Sequence, residues 1–115
     1  MIIEDEKIAA DMTRVSLEDE GYEVETFADG ASALARLRAG HFDVIITDLK
    51  MKGLDGFEVL GRIRETGSDA RVIMVTAFAS LDVAIEAIRN EVFDFFTKPV
   101  KLKELKAAVK KAAEA

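Results

Sequence analysis

At 115 residues the chain has the length of one domain, enough to bury a single hydrophobic core. Half of it is apolar and a third charged, with one proline and no cysteine, a composition that excludes disorder, disulfides, thiolate metal sites and thiol catalysis. The net charge of −6 argues against nucleic-acid binding by this domain, no apolar run nears the ~20 residues of a membrane helix, and no basic-then-apolar leader pattern is present, so a cytoplasmic location is expected.

Met1, Ile2 and Ile3 read as a short first strand that delivers Glu4 and Asp5 to its carboxyl end. Three residues is brief beside a mean strand of ~5–6, as expected of a strand that starts earlier in a longer chain. Residues 7–20 contain no Gly or Pro, and Ile8, Met12 and Val15 fall at i, i+4 and i+7, the period of a helix that Gly21 ends; Leu17 lies off that stripe. Residues 22–27 alternate in the manner of an edge strand with one wetter face. Asp29 and Gly30 open a helix carrying Ala31, Leu34 and Leu37, closed by Gly40.

Val44, Ile45, Ile46 and Thr47 are four consecutive β-branched residues, the pattern of a strand buried on both faces in a parallel sheet, and Asp48 ends it. Asp55, three residues before Glu58, caps a helix with Val59, Leu60 and Ile63 that stops at Gly67. Residues 71–76 form a second doubly apolar strand ending in Thr76, and Ser80 caps a helix marked by Leu81, Ile85 and Ile88. Residues 93–97 make a fifth strand that delivers Lys98 and Pro99. A last helix aligns Leu102, Leu105, Val109 and Ala112, leaving Lys101, Lys103, Lys106, Lys110 and Lys111 as a solvated face. Five strands alternating with five helices predict an α/β doubly wound parallel sheet covered on both sides.

The carboxyl ends of parallel strands share one edge, where open α/β sheets bind ligands. Glu4, Asp5, Asp48, Thr76 and Lys98 all fall there. Singly each has a plain structural explanation: helix-start acids, a turn cap, an ordinary strand residue, a surface lysine. Jointly, three carboxylates at one edge repel one another unless a cation and a lysine offset them. Mg²⁺ suits such ligands, being held by one or two carboxylates, waters and phosphate oxygens, whereas zinc and copper do not, because cysteine is absent and the lone His41 enters at the opposite edge. A carboxylate can also act as a nucleophile toward phosphorus, with a metal, the Lys98 ammonium and the Thr76 hydroxyl compensating charge.

These pieces, Ile3-Glu4-Asp5-Glu6, Asp48-Leu49-Lys50-Met51 followed by Leu54-Asp55-Gly56, Val75-Thr76-Ala77 and Phe95-Phe96-Thr97-Lys98-Pro99, resemble end to end the response-regulator receiver domain of two-component signalling. The resemblance implies the flavodoxin-like, CheY-like strand order 2-1-3-4-5. It implies Asp48 as phosphoacceptor, with Thr76 and Lys98 on the phosphoryl group. Mg²⁺ would be held by Asp5, by Glu4 directly or through water, by Asp48 and by the backbone carbonyl of Lys50. Ala77 leaves room for the donor, Thr76 and Phe95 form the switch, and the Lys98–Pro99 bond is cis. Glu4 stands where Asp is commoner, Lys52 where Pro is frequent, and Phe95 where Tyr is frequent.

On that basis residues 1–115 are one receiver domain, cut from a longer chain with a C-terminal output domain. A sensor histidine kinase is the expected phosphodonor, and the pattern resembles receivers of enhancer-binding (NtrC-like) transcriptional regulators. The domain is expected to be no enzyme in its own right, although it assists its own phosphorylation and dephosphorylation. Readout through the fourth helix, fifth strand and fifth helix is expected, with an output domain or a second copy as partner. A stand-alone phosphotransfer receiver is the alternative. An aspartyl-nucleophile phosphatase would want an acid where Lys50 stands, and an FMN module would want a phosphate-cradling loop after the first strand.

Overall fold

The computed structural model describes residues 1–115. Its elements run β1 (Ile2–Ile3), α1 (Lys7–Asp19), β2 (Thr26–Phe27), α2 (Gly30–Leu37), β3 (Val44–Thr47), α3 (Gly56–Glu65), β4 (Arg71–Thr76), α4 (Leu81–Arg89), β5 (Asp94–Thr97) and α5 (Leu102–Glu114). All five strands are parallel in the order β2-β1-β3-β4-β5, the doubly wound order expected. Adjacent residues of each central strand point to opposite faces. Ile3, Ile45 and Val72 pack with Leu34, Leu37, Leu60 and Ile63 of α2 and α3, while Ile2, Ile46 and Ile73 pack with Leu17, Leu105 and Val109 of α1 and α5.

Helix ends follow their local chemistry. Asp29, Asp55 and Ser80 each accept a hydrogen bond from the backbone N–H three residues on, at 2.7, 2.9 and 3.2 Å. Gly67, just past α3, has φ +80°, the left-handed conformation that ends a helix at least cost when no Cβ is present. The edge strand β2 is shorter than its alternating sequence predicts. Only Thr26 and Phe27 pair, because β1 offers only Ile2 and Ile3 opposite them.

Two helical stripes face the other way from the one a core would require. Ile8, Met12 and Val15 are 69, 58 and 49% exposed, and α1 instead buries Ala10 and Leu17. On α4, Leu81 and Ile88 are exposed and Ala87 is the buried residue. The i, i+4, i+7 period identifies a helix correctly but does not say which face the sheet takes. Met12→Ala is therefore expected to change stability by under about 0.5 kcal/mol, against about 2–5 kcal/mol lost in Leu17→Ala. Urea denaturation midpoints check the pair.

Candidate functional site

The functional edge is built by chain reversals at the ends of β1, β3, β4 and β5. After β1, Glu6 caps α1, its carboxylate accepting from the N–H groups of Ile8 and Ala9 at 3.2 and 2.9 Å. That role frees Glu4 and Asp5 from helix-start duty. Sequence reasoning had no means to separate the three acids, since all are chemically able to cap.

Asp48 leaves β3 as a buried carboxylate. Its Oδ1 accepts the N–H of Leu49 at 2.6 Å, and the buried Thr47 hydroxyl donates to its backbone carbonyl at 2.9 Å. Gly56, the first residue of α3, is pressed against the same backbone, and its N–H donates to the Leu49 carbonyl at 2.8 Å. Gly56 and Thr47 thus position Asp48, roles that periodicity does not reveal because they depend on how the loop folds back.

One ligand oxygen from each of Glu4, Asp5 and Asp48 lies within 4.8 Å of the other two, so an adjacent pair of acids and a third more than forty residues on form one cluster. Lys98 reaches into it from the end of β5, its Nζ donating to Glu4 Oε1 at 2.6 Å and to Asp48 Oδ2 at 2.7 Å. Partial burial works to lower the Lys98 pKa, but the hydrogen bonds it donates to Asp48 and Glu4, with their negative charge, outweigh it and hold the ammonium above its ordinary 10.5. The lysine is charged throughout the neutral range. Asp5 is exposed and makes no ion pair.

The donor set fits a hard divalent cation: three carboxylates, no sulfur and no imidazole, with one ammonium bridging two of them and offsetting one of the three charges. His41 is paired with Asp43 at 3.1 Å in the loop before β3, away from the cluster. The Lys98–Pro99 bond is cis, as the resemblance implied.

Thr76 ends β4 fully buried, and its Oγ accepts the N–H of Phe78 at 3.0 Å. Ala77 and Phe78 are exposed beyond it, and the Lys50 ammonium lies 5.8 Å from the Phe78 ring centroid, a cation–π contact linking the loops after β3 and β4. The only sequence signal of Phe78 is a large apolar residue in a loop. Phe95, in the middle of β5, is half-buried.

Residues 1–110 match the profile of the response regulator receiver domain. Transcriptional regulatory protein TcrA of Mycobacterium tuberculosis is 34% identical over 96% of this chain and 44% of its own length. Regulatory protein AtoC of Escherichia coli is 32% identical over 99% of this chain and 25% of its own. The chain thus spans less than half the length of these relatives. Among solved structures, a CheY-like receiver domain protein of Methanospirillum hungatei superposes with TM-score 0.91 at 29% identity, covering 98% of this chain and 90% of that one. Response regulator TrrA of Thermotoga maritima, solved with Mg²⁺-BeF, superposes with TM-score 0.85 at 32% identity over 96% of this chain and 95% of that one. An acidic edge assembled from β1 and β3, a lysine from the end of β5 and these end-to-end matches agree: the chain belongs to the response-regulator receiver domain family.

Proposed function

We propose that this domain accepts a phosphoryl group from a sensor histidine kinase onto Asp48 in a Mg²⁺-dependent reaction, and that it does so in the cytoplasm as the receiver of a longer transcriptional regulator with a C-terminal output domain. The observation that carries this reading is the Lys98 ammonium held by both Glu4 and Asp48 beside a third carboxylate, Asp5. In the transfer, an Asp48 carboxylate oxygen bonds to phosphorus while the P–N bond of phosphohistidine breaks, and the imidazole leaves with that electron pair and takes up a proton. Asp5, Glu4, Asp48 and the Lys50 backbone carbonyl would hold Mg²⁺, which when bound neutralises charge on the phosphoryl oxygens. Lys98 exchanges its Asp48 contact for a phosphoryl oxygen, and the Thr76 hydroxyl turns from the Phe78 N–H toward another.

The donor must bring its histidine to Asp48. The exposed stripe Ile8, Met12 and Val15, on the helix that starts beside the cluster, suits the apolar face of a helical donor.

Intact mass after incubation with acetyl phosphate tests the reaction. Addition of one HPO₃ is expected with Mg²⁺ and not with chelator, and equal labelling in both would overturn the metal requirement. Because Glu4 is engaged by Lys98 whereas Asp5 is not, Asp5→Asn is expected to weaken Mg²⁺ binding more than Glu4→Gln does. Calorimetric titration of the two variants decides the order, and the reverse ranking would exchange their roles.

Readout follows from the Thr76 movement, which vacates space that the half-buried Phe95 ring fills. Completing the burial of a ring that is already half-buried is worth roughly half the 1.5–3 kcal/mol of full burial, about 1 kcal/mol, enough to bias a two-state surface by roughly five-fold. The face formed by α4, β5 and α5, which carries the exposed Leu81 and Ile88, then changes its contact with an output domain or a second copy. Sedimentation with and without beryllofluoride and Mg²⁺ is expected to show a change in association that Phe95→Ala abolishes. A change that survives in the variant removes Phe95 from the mechanism.

A further inference from the structure

Lys98 and Glu4 meet across most of the sheet. Lys98 follows β5 with its backbone N–H donating to the Thr76 carbonyl of β4 at 2.9 Å, and Glu4 follows β1 with its own N–H donating to the Phe27 carbonyl of β2 at 2.9 Å, so the sheet fixes both backbones. In the order β1-β3-β4-β5 their strands are three spacings apart, about 14 Å. The Lys98 stem and the Glu4 side chain bridge that span above β3. Nζ ends between Glu4 Oε1 at 2.6 Å and Asp48 Oδ2 at 2.7 Å.

The two acceptors do not stay alike through phosphotransfer. Once an Asp48 oxygen bonds phosphorus the group is no longer a carboxylate, and the carbonyl oxygen that remains is a neutral, weaker acceptor. Glu4 keeps its charge. Its side chain is only 11% exposed, against 30% for Lys98, and its second oxygen accepts the Glu6 N–H at 3.4 Å, which ties it to the start of α1. Lysine has a flexible four-carbon stem, so an ammonium released by Asp48 with no second partner would spread over its rotamers instead of waiting at the phosphoryl oxygens. A divalent cation seated directly on Glu4 would also face that ammonium at close range, whereas Asp5 is exposed and unpaired and meets a cation without such repulsion.

We propose that Glu4 is a positioning residue for Lys98, holding its ammonium in place throughout the transfer, and that it touches Mg²⁺ only through water. The inference rests on Asp48 being the phosphoacceptor, and two measurements on the whole chain test it. The first uses no phosphodonor. The Nζ resonance of the Lys98 ammonium, assigned by its loss in Lys98→Met, is followed by NMR as Mg²⁺ is added. It is expected to stay protected from solvent exchange at saturating Mg²⁺ in the parent and to be lost in Glu4→Gln. Its loss from the parent on adding Mg²⁺ would show that the metal takes Glu4 from Lys98 and would overturn the proposal. This titration decides the matter by itself if Glu4→Gln melts early.

The second measurement is the rate of labelling by acetyl phosphate, read by intact mass. Glu4→Gln is expected to slow it about ten-fold, equivalent to about 1.4 kcal/mol. The loss is expected to persist at saturating Mg²⁺ and donor, because alignment and not affinity is removed. Recovery of the parent rate once Mg²⁺ saturates would make Glu4 a direct ligand and overturn the positioning role. A parent chain that takes no label at all would overturn phosphotransfer to Asp48 instead, and the ammonium resonance would still report what Glu4 holds.

Discussion

Asp48→Asn is expected to abolish phosphorylation by acetyl phosphate and by any histidine donor while leaving the domain folded. The amide keeps the size of the carboxylate, and its carbonyl oxygen can still accept the Leu49 N–H that Oδ1 now takes at 2.6 Å. Its NH₂ then replaces Oδ2, which accepts from the Lys98 ammonium at 2.7 Å, so a donor faces a donor and Lys98 retains only Glu4. An amide is a poor nucleophile toward phosphorus and offers no negative charge to a cation, so attack and metal affinity are lost together. Intact mass measured alongside the circular-dichroism melt separates loss of chemistry from loss of fold. Full labelling of a folded Asn variant would move the phosphoacceptor to another residue, and Asp5 would be the first to examine.

The second large effect is structural and falls on the same residue from behind. A Cβ at Gly56 would lie 2.6 Å from the Asp48 carbonyl oxygen, 3.0 Å from the Leu49 Cα and 3.2 Å from the Met74 methyl. The methionine end can give way, but the two backbone atoms cannot without moving the loop that aims Asp48. Gly56→Ala is expected to cost about 3 kcal/mol, the upper part of the range for overpacking, and to slow phosphorylation in whatever fraction remains folded. Gly61, also in α3, is the control, because a Cβ there meets nothing within 4 Å. Gly61→Ala is expected to stabilise by about 0.5–1 kcal/mol through the lower chain entropy of alanine in a helix. Chemical denaturation of both variants checks the contrast, and a Gly56→Ala protein as stable and as readily phosphorylated as the parent would remove the close approach from the account.

Much of this is legible in the sequence itself. Strands buried on both faces announce themselves as unbroken β-branched or apolar runs, as in residues 44–47 and 71–76, and caps announce themselves by residue type, as at Asp29, Asp55 and Ser80. Because every strand is parallel, knowing the strand ends was enough to gather Glu4, Asp5, Asp48, Thr76 and Lys98 on one edge. Strand order came from resemblance, since neither β1 nor β2 carries a signal that ranks its neighbours.

Tertiary structure alone decided which face of a helix is buried and which of several like groups is engaged. The apolar period of α1 and α4 is satisfied equally by a stripe turned toward the sheet and by one turned away, and only packing reveals that Leu17 and Ala87 go inside while Met12 and Ile88 stay out. Three neighbouring acids are equivalent as residue types. Their division of labour, with Glu6 on the helix N-terminus, Glu4 on Lys98 and Asp5 unpaired, depends on distances of 3.2 Å or less. The contact of Gly56 with the Asp48 backbone depends on a loop that folds back over eight residues, and no local pattern records it. Residue type and period are properties of a segment and survive in the sequence, whereas facing and partnership are properties of pairs, set by the energy of the packed whole.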